Sequence, residues 1–204
     1  MKLIAITGGI GSGKSVVARM VQVMGFQVYD CDSKAKSIMT DCPEVRLQLE
    51  QAFGKDTFLA DGSINRQHLS SMAFADNDAL AKLNGIVHPA TARDLCQWSQ
   101  QQAKHGASLA FVETALLHTA KLDQVVDGVW HVTAPTQIRI KRVMARSGLT
   151  AQQVEARIRS QIDEDLPVDG ESVINNDGDT ALLPQVLQLL TQLKIQATNK
   201  KRLN

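Results

Sequence analysis

Residues 3–6, Leu3-Ile4-Ala5-Ile6, form an unbroken apolar run that stops at Gly8 and Gly9. A short run without polar alternation is the pattern of a parallel strand buried on both faces. Val16, Val17, Met20, Val21 and Met24 then recur at helical spacing after Ser15, and Gly25 is placed to end that helix. A second strand is predicted over 26–29, closing at Asp30 and Asp32. From about 33 to 106 the pattern is mainly helical and holds no convincing core strand. Asp41-Cys42-Pro43, Asp61-Gly62 and His88-Pro89 punctuate it as turns, the last because a residue before proline is biased towards extended backbone. Three further strands are predicted over 109–112, 129–132 and 172–174. Two helical patterns lie between the last two, within about 136–165, the second marked by Val154, Ile158 and Ile162. A leucine-rich helix over 180–194 closes the pattern and most simply covers the sheet. Strands alternating with helices imply an α/β fold, a parallel sheet with helices on both faces and right-handed crossovers. Ligands in such folds gather at the carboxyl ends of the strands.

Composition narrows the function classes. With 204 residues, 44% hydrophobic and 21% charged, the chain is long enough for one α/β core carrying inserted subdomains, and far from disordered compositions. Lys and Arg total 22 against 21 Asp and Glu, so no global positive field exists to gather nucleic acid or an anionic membrane, and any anion site is local. Three cysteines, Cys31, Cys42 and Cys96, lack metal-ligand spacing and read as free thiols of a reducing compartment. The first residues enter a strand pattern directly, without a leader-like segment, and no apolar run approaches the roughly 20 residues of a membrane span; the expected location is cytoplasmic. Lys200, Lys201 and Arg202 read as a solvated tail, with an anion-binding arm as the alternative.

The chemistry-bearing segment is Gly8-Gly9-Ile10-Gly11-Ser12-Gly13-Lys14-Ser15, a full G-x-x-x-x-G-K-[ST] phosphate loop between a predicted strand and a predicted helix. Glycines allow successive backbone N–H groups to turn inward on a phosphate chain, and the helix amino terminus adds partial positive charge. Gly9, Gly11, Ser12, Gly13, Lys14, Ser15 and Val16 are therefore the expected contacts of ATP, with Lys14 bridging the β- and γ-phosphates and Ser15 ligating Mg²⁺. Asp30 and Asp32 follow the second strand at the same sheet edge. Two residues apart in an extended segment, they would face one site, with Asp32 as general base or outer partner of Mg²⁺. A helix-capping aspartate is the competing reading.

At these residues the chain resembles the dephospho-coenzyme A kinases. The loop followed by Val28-Tyr29-Asp30-Cys31-Asp32 is similar to the opening of that family. Asn65-Arg66-Gln67-His68-Leu69, Phe74-Ala75-Asp76, Leu83-Asn84-Gly85-Ile86-Val87-His88-Pro89, the segment from Arg142 to Arg146, Ala156-Arg157-Ile158-Arg159-Ser160-Gln161 and Val173-Ile174-Asn175-Asn176-Asp177-Gly178 agree in order and spacing. The resemblance implies a P-loop kinase-like fold in one domain, 1–204. Its core would lie at about 1–32, 107–135 and 166–194, with a helical acceptor-binding insertion at about 33–106 and a helical lid at about 136–165. It implies transfer of the ATP γ-phosphate to the 3′-hydroxyl of dephospho-coenzyme A, the last step of coenzyme A biosynthesis, in a monomer or weak homo-oligomer. Lys14, Asp32, Arg142 and Arg146 would be catalytic, because phosphoryl transfer spreads charge that lid arginines offset. Asp32, His88, Arg93, Arg157 and Gln161 would meet the acceptor; Arg157 and Gln161 are expected on one helical face. Arg146 and Asn176 would meet ATP, and Glu113 would join Ser15 at Mg²⁺.

Each of these side chains also has a plainer reading: solvated helix arginines, a loop histidine, an Asn-Gly turn. The chain departs from the family where Glu113-Thr114-Ala115 replaces a common Asp-x-Pro, which is expected to free that loop, and where Ala92 replaces an arginine that often follows His-Pro. Two rivals share the loop: another small-metabolite or nucleotide kinase, and a non-catalytic nucleotide switch. Against a GTP-reading switch, the tail Asn199-Lys200-Lys201-Arg202 lacks the aspartate of Asn-Lys-x-Asp.

Overall fold

The computed structural model of the chain describes residues 1–73, 77–161 and 164–202, and their side chains except at 77 and 194–202. Phe74, Ala75, Asp76 and Ile162, together with the side chains of Lys200, Lys201 and Arg202, lie outside those described residues. The five apolar runs become β1 (Lys2–Thr7), β2 (Gln27–Asp30), β3 (Leu109–Glu113), β4 (Gly128–Thr133) and β5 (Ser172–Asn175). They form one sheet in the order β2-β3-β1-β4-β5. β1 pairs in parallel with β3, Ile6 opposite Glu113, and with β4, Thr7 opposite His131, and β4 pairs in parallel with β5. Because β1 is central, it is buried from Leu3 to Thr7, which is why its sequence shows no polar alternation. The order steps away from β1 to both sides, so a crevice opens at its carboxyl end.

Two compact units divide the chain: Met1–Val28 with Ala107–Asn204, and Tyr29–Gly106. In the first, α1 (Lys14–Val23) and α8 (Leu182–Arg202) bury Val17, Val21, Val186 and Leu190 against Ile4, Phe111 and Trp130. Phe111 packs on Trp130 with ring centroids 5.0 Å apart and meets Phe26 edge-on, contacts worth about 0.5–1.5 kcal/mol each beyond their area. Val16, counted in the apolar stripe of α1, is half-exposed and stands outside that core. Helices α6 (Thr136–Ser147) and α7 (Ala151–Arg159) pack Ile140, Val143 and Val154 together with Ile10 of the phosphate loop.

The second unit holds α2 (Cys31–Asp41), α3 (Pro43–Phe53), α4 (Arg66–Ala73) and α5 (Asn77–Lys104), around Val45, Leu49, Phe53, Leu69 and Ala90. Two of the expected turns are present: Cys42 separates α2 from Pro43 at the start of α3, and Gly62 takes a positive φ beside Asp61. The third is corrected, because α5 runs unbroken through His88 and Pro89. Proline inside a helix costs on the order of 3 kcal/mol. Burial of Val87 and Ala90 on its two flanks, and of Leu95 one turn further on, offsets that locally. Cys31 is buried and Cys42 and Cys96 are half-buried, and among the described residues no helix is long and apolar enough to cross a membrane.

Candidate functional site

The glycine-rich turn sits where β1 ends and α1 begins. Gly13 caps α1 with φ near +99°, backbone that a residue with a Cβ rarely adopts, and a Cβ there would lie 2.0 Å from Asn176 Nδ2. Val16 N–H and Val17 N–H both donate to Gly13 O, so the first helical turn is closed and the amino terminus of α1 faces the turn. Beside it is a cavity of about 190 Å³ lined by Ile10, Gly11, Gly13, Lys14, Ser15, Val16, Arg142, Val143 and Arg146. The structure thus brings Lys14, Ser15, Val16, Arg142 and Arg146 to one concavity, cations included, as a polyphosphate requires. Ser12 Oγ is buried and finds no partner among the described residues. An orphaned hydroxyl inside an anion-shaped turn is chemistry that suits a phosphate oxygen.

Ser15 Oγ donates to Glu113 Oε1, pairing a hydroxyl with a carboxylate at the ends of α1 and β3. Two hard oxygen donors fit Mg²⁺, which favours one or two protein oxygens plus phosphate and water over an all-protein cage. The loop after β3, expected to be freed by its missing proline, is instead held. Thr114 Oγ1 accepts from Leu116 N–H, and buried Glu164 accepts from His118 N–H and Thr119 N–H; a hydroxyl and a carboxylate do the work that a proline would do by stiffening the backbone.

Around the turn, side chains remote in sequence hold the backbone. Asn176, buried after β5, donates from Nδ2 to Ser12 O at 2.7 Å, and its Oδ1 accepts from Arg142 Nη2 at 3.2 Å. Asn176, expected at ATP, therefore fixes the loop and Arg142 of α6. Gln161 lies beyond the end of α7, not on a helical face with Arg157, which is a correction: Ser160 caps the helix. Its Oε1 accepts from Ile10 N–H at 3.1 Å, while Arg157 is exposed on α7. Arg139 was missed by sequence reasoning. It is 4% exposed, its Nε donates to Ile10 O at 2.9 Å, and its Nη1 bonds both oxygens of Asp165, at 2.5 and 2.8 Å. Its one sequence signal is an arginine at a position where the α6 pattern calls for an apolar residue, beside Ile140 and Val143.

The second unit holds the remaining candidates. Asp30 caps α2, its carboxylate accepting from Ser33 N–H and Ser33 Oγ, and Asp32 is exposed in the first turn of α2. The expectation that both aspartates share an extended segment is corrected, since the strand ends at Asp30 and the helix starts at Cys31. Capping claims Asp30 and leaves Asp32 to solvent-facing roles. His88 is half-buried within α5, and Arg93 is exposed on the same helix, 4.0 Å from Glu44. Tyr29 donates to Asp94 Oδ2 at 2.5 Å and stacks obliquely on Trp98; burial and that carboxylate push its phenol well above the ordinary value.

A family model described as dephospho-CoA kinase matches residues 2–181. The chain is 35% identical, over 98% of both chains, to the dephospho-CoA kinase of Porphyromonas gingivalis. Among solved structures it is similar to a Thermus thermophilus protein, with a TM-score of 0.76 and 30% identity over 96% of this chain and 97% of the other. The dephospho-CoA kinase of Campylobacter jejuni shares the fold, with a TM-score of 0.67 at 22% identity over 95% of this chain and 98% of that one.

Proposed function

Because the chain belongs to the dephospho-CoA kinase family, we infer that its phosphate loop is the donor site for ATP-dependent phosphorylation of dephospho-CoA, a step of coenzyme A biosynthesis. The observation that carries this reading is the extent of the family match. It runs through both compact units, from 2 to 181, whereas a phosphate loop alone would leave the acceptor open.

The roles follow from charge. The acceptor's 3′-hydroxyl oxygen bonds to the γ-phosphorus as the bond to the β–γ bridging oxygen breaks; ADP leaves, and the hydroxyl proton passes to a carboxylate, for which Asp32 is the candidate. Lys14, Arg142 and Arg146 offset the charge that spreads over the equatorial oxygens, and the amino terminus of α1 adds its dipole. Ser15 and Glu113 would hold Mg²⁺, which supplies further charge neutralisation at the phosphates. The helical unit Tyr29–Gly106 would receive the acceptor, with His88 and Arg93 as contacts. The expected cytoplasmic location rests on cysteine usage, three cysteines without metal-ligand spacing, which suits a reducing compartment.

The test is acceptor-dependent ADP release by the purified chain with ATP, Mg²⁺ and dephospho-CoA, run beside nucleoside monophosphates and shikimate. Selective turnover of dephospho-CoA is expected; turnover confined to another acceptor would reassign the substrate, and nucleotide binding without any turnover would leave a switch.

A further inference from the structure

Ile10 is held at both of its backbone polar groups by side chains far away in sequence. Gln161 Oε1 takes its N–H and Arg139 Nε gives to its carbonyl. Asp165 grips Arg139 from the other side through Nη1. Arg139 and Asp165 also press on the loop itself, because a Cβ at Gly9 would fall 2.0 Å from Asp165 Oδ1 and 2.4 Å from Arg139 Nη2. Arginine fits this place as lysine would not: one planar group presents Nε to the loop and Nη1 to a carboxylate at fixed angles. A guanidinium with a side chain 5% exposed is costly to bury. Here it is spent on a backbone carbonyl at the apex of the phosphate loop, next to the nucleotide cavity but outside its lining.

We propose that Arg139, oriented by Asp165 and assisted by Gln161, is a positioning residue for the nucleotide: it sets the peptide planes on either side of Ile10 and so the direction in which the loop's amides point. Ile10 N–H is drawn outward to Gln161, and Ser12 N–H is closed onto Gly9 O. The anion-facing amides are then those at the start of α1, where the helix dipole adds to them. Releasing Ile10 lets its peptide rotate, and the loop must be reordered each time a nucleotide binds, which lowers affinity for the phosphates and leaves the acceptor's affinity alone. The proposal rests on reading the loop as a nucleotide site.

The experiment uses the full chain and two readouts: calorimetric affinity for Mg-ADP, and separate KM values for ATP and dephospho-CoA. Arg139→Gln is expected to weaken Mg-ADP binding about tenfold, the scale of one lost charge-assisted hydrogen bond, with KM for ATP rising in parallel and KM for dephospho-CoA within about twofold of the parent. Arg139→Lys should recover only part, and Gln161→Ala should cost about threefold, as a neutral bond does. A variant carrying Arg139→Met with Asp165→Leu strands no buried charge; it should melt near the parent and still bind Mg-ADP about tenfold more weakly. Parental affinity in that folded double variant overturns the proposal and leaves the ion pair a purely structural role. If the double variant does not fold, unchanged affinity in Gln161→Ala overturns it equally. Failure of the unaltered chain to bind Mg-ADP overturns the nucleotide assignment instead.

Discussion

The phosphate loop and the helical unit Tyr29–Gly106 satisfy their polar groups in opposite ways. Around the loop, Ile10 is bonded to Arg139 and Gln161, and Ser12 to Asn176, partners 129 to 164 positions away. In the helical unit most side-chain bonds are local: Asp30 with Ser33, Asp61 with Ser63, Thr40 with Ser37, Ser71 with His68. There the long-range order comes from apolar packing of Val45, Leu49, Phe53 and Leu69. A turn proposed to hold a reacting phosphate tolerates little angular error, which suits peptides fixed by directional bonds from several elements. A helical platform needs shape, which non-directional packing provides. Damage to the two regions should therefore read out differently: in turnover or nucleotide affinity for the loop, in melting for the platform.

The largest effect is expected at Lys14. Lys14→Ala should lower kcat/KM by about 10³-fold in the ADP-release assay while the melting temperature stays near the parent, since it removes the charge proposed to face the transferred group. Asp32→Asn sharpens the comparison, because Asp32 lies in the helical unit yet is assigned to chemistry. Its kcat should fall by about 10²-fold with calorimetric ATP affinity unchanged; a full kcat would remove Asp32 from the base role. Leu49→Ala, at a fully buried site, should destabilise by about 2–5 kcal/mol in urea melts and leave Mg-ADP affinity of the folded protein intact. A parallel loss of that affinity would break the division between the regions.

The smallest effect belongs to Asp177, which follows β5 beside Asn176. Its carboxylate accepts from the N–H groups of Asp179 and Thr180, the Thr180 hydroxyl and the Asn175 amide, and these hold its pKa below the usual value. A depressed native pKa means stability that is present above the unfolded carboxylate range, about pH 4, and is lost as pH falls through the native value. Asp177→Asn should lower the melting temperature slightly at pH 7, and the gap between variant and parent should close on acidification. A gap that does not narrow as the pH falls below the ordinary carboxylate range would show that the turn does not depend on the ionised carboxylate.

Read from the residues alone, the strands, the phosphate loop, the α1 stop at Gly25 and the helical character of 33–106 were all legible, because each is encoded within a few neighbouring positions: an apolar run, a glycine spacing, a 3.6-residue stripe. Sequence also carried the acceptor, since the blocks shared with the kinase family span both units. What failed depended on distant atoms. Pro89 sits inside α5 because packing on its flanks outweighs the local preference of His88. The Asp30 cap is the exception, since its partner Ser33 is three residues away and the sequence had left the capping reading open. Only the tertiary structure decided that Gln161 bonds Ile10, that Glu164 secures the loop after β3, and that Arg139 is buried against the turn. The energy of a desolvated hydrogen bond depends on which partner the fold brings within hydrogen-bonding distance, and no local pattern carries that information.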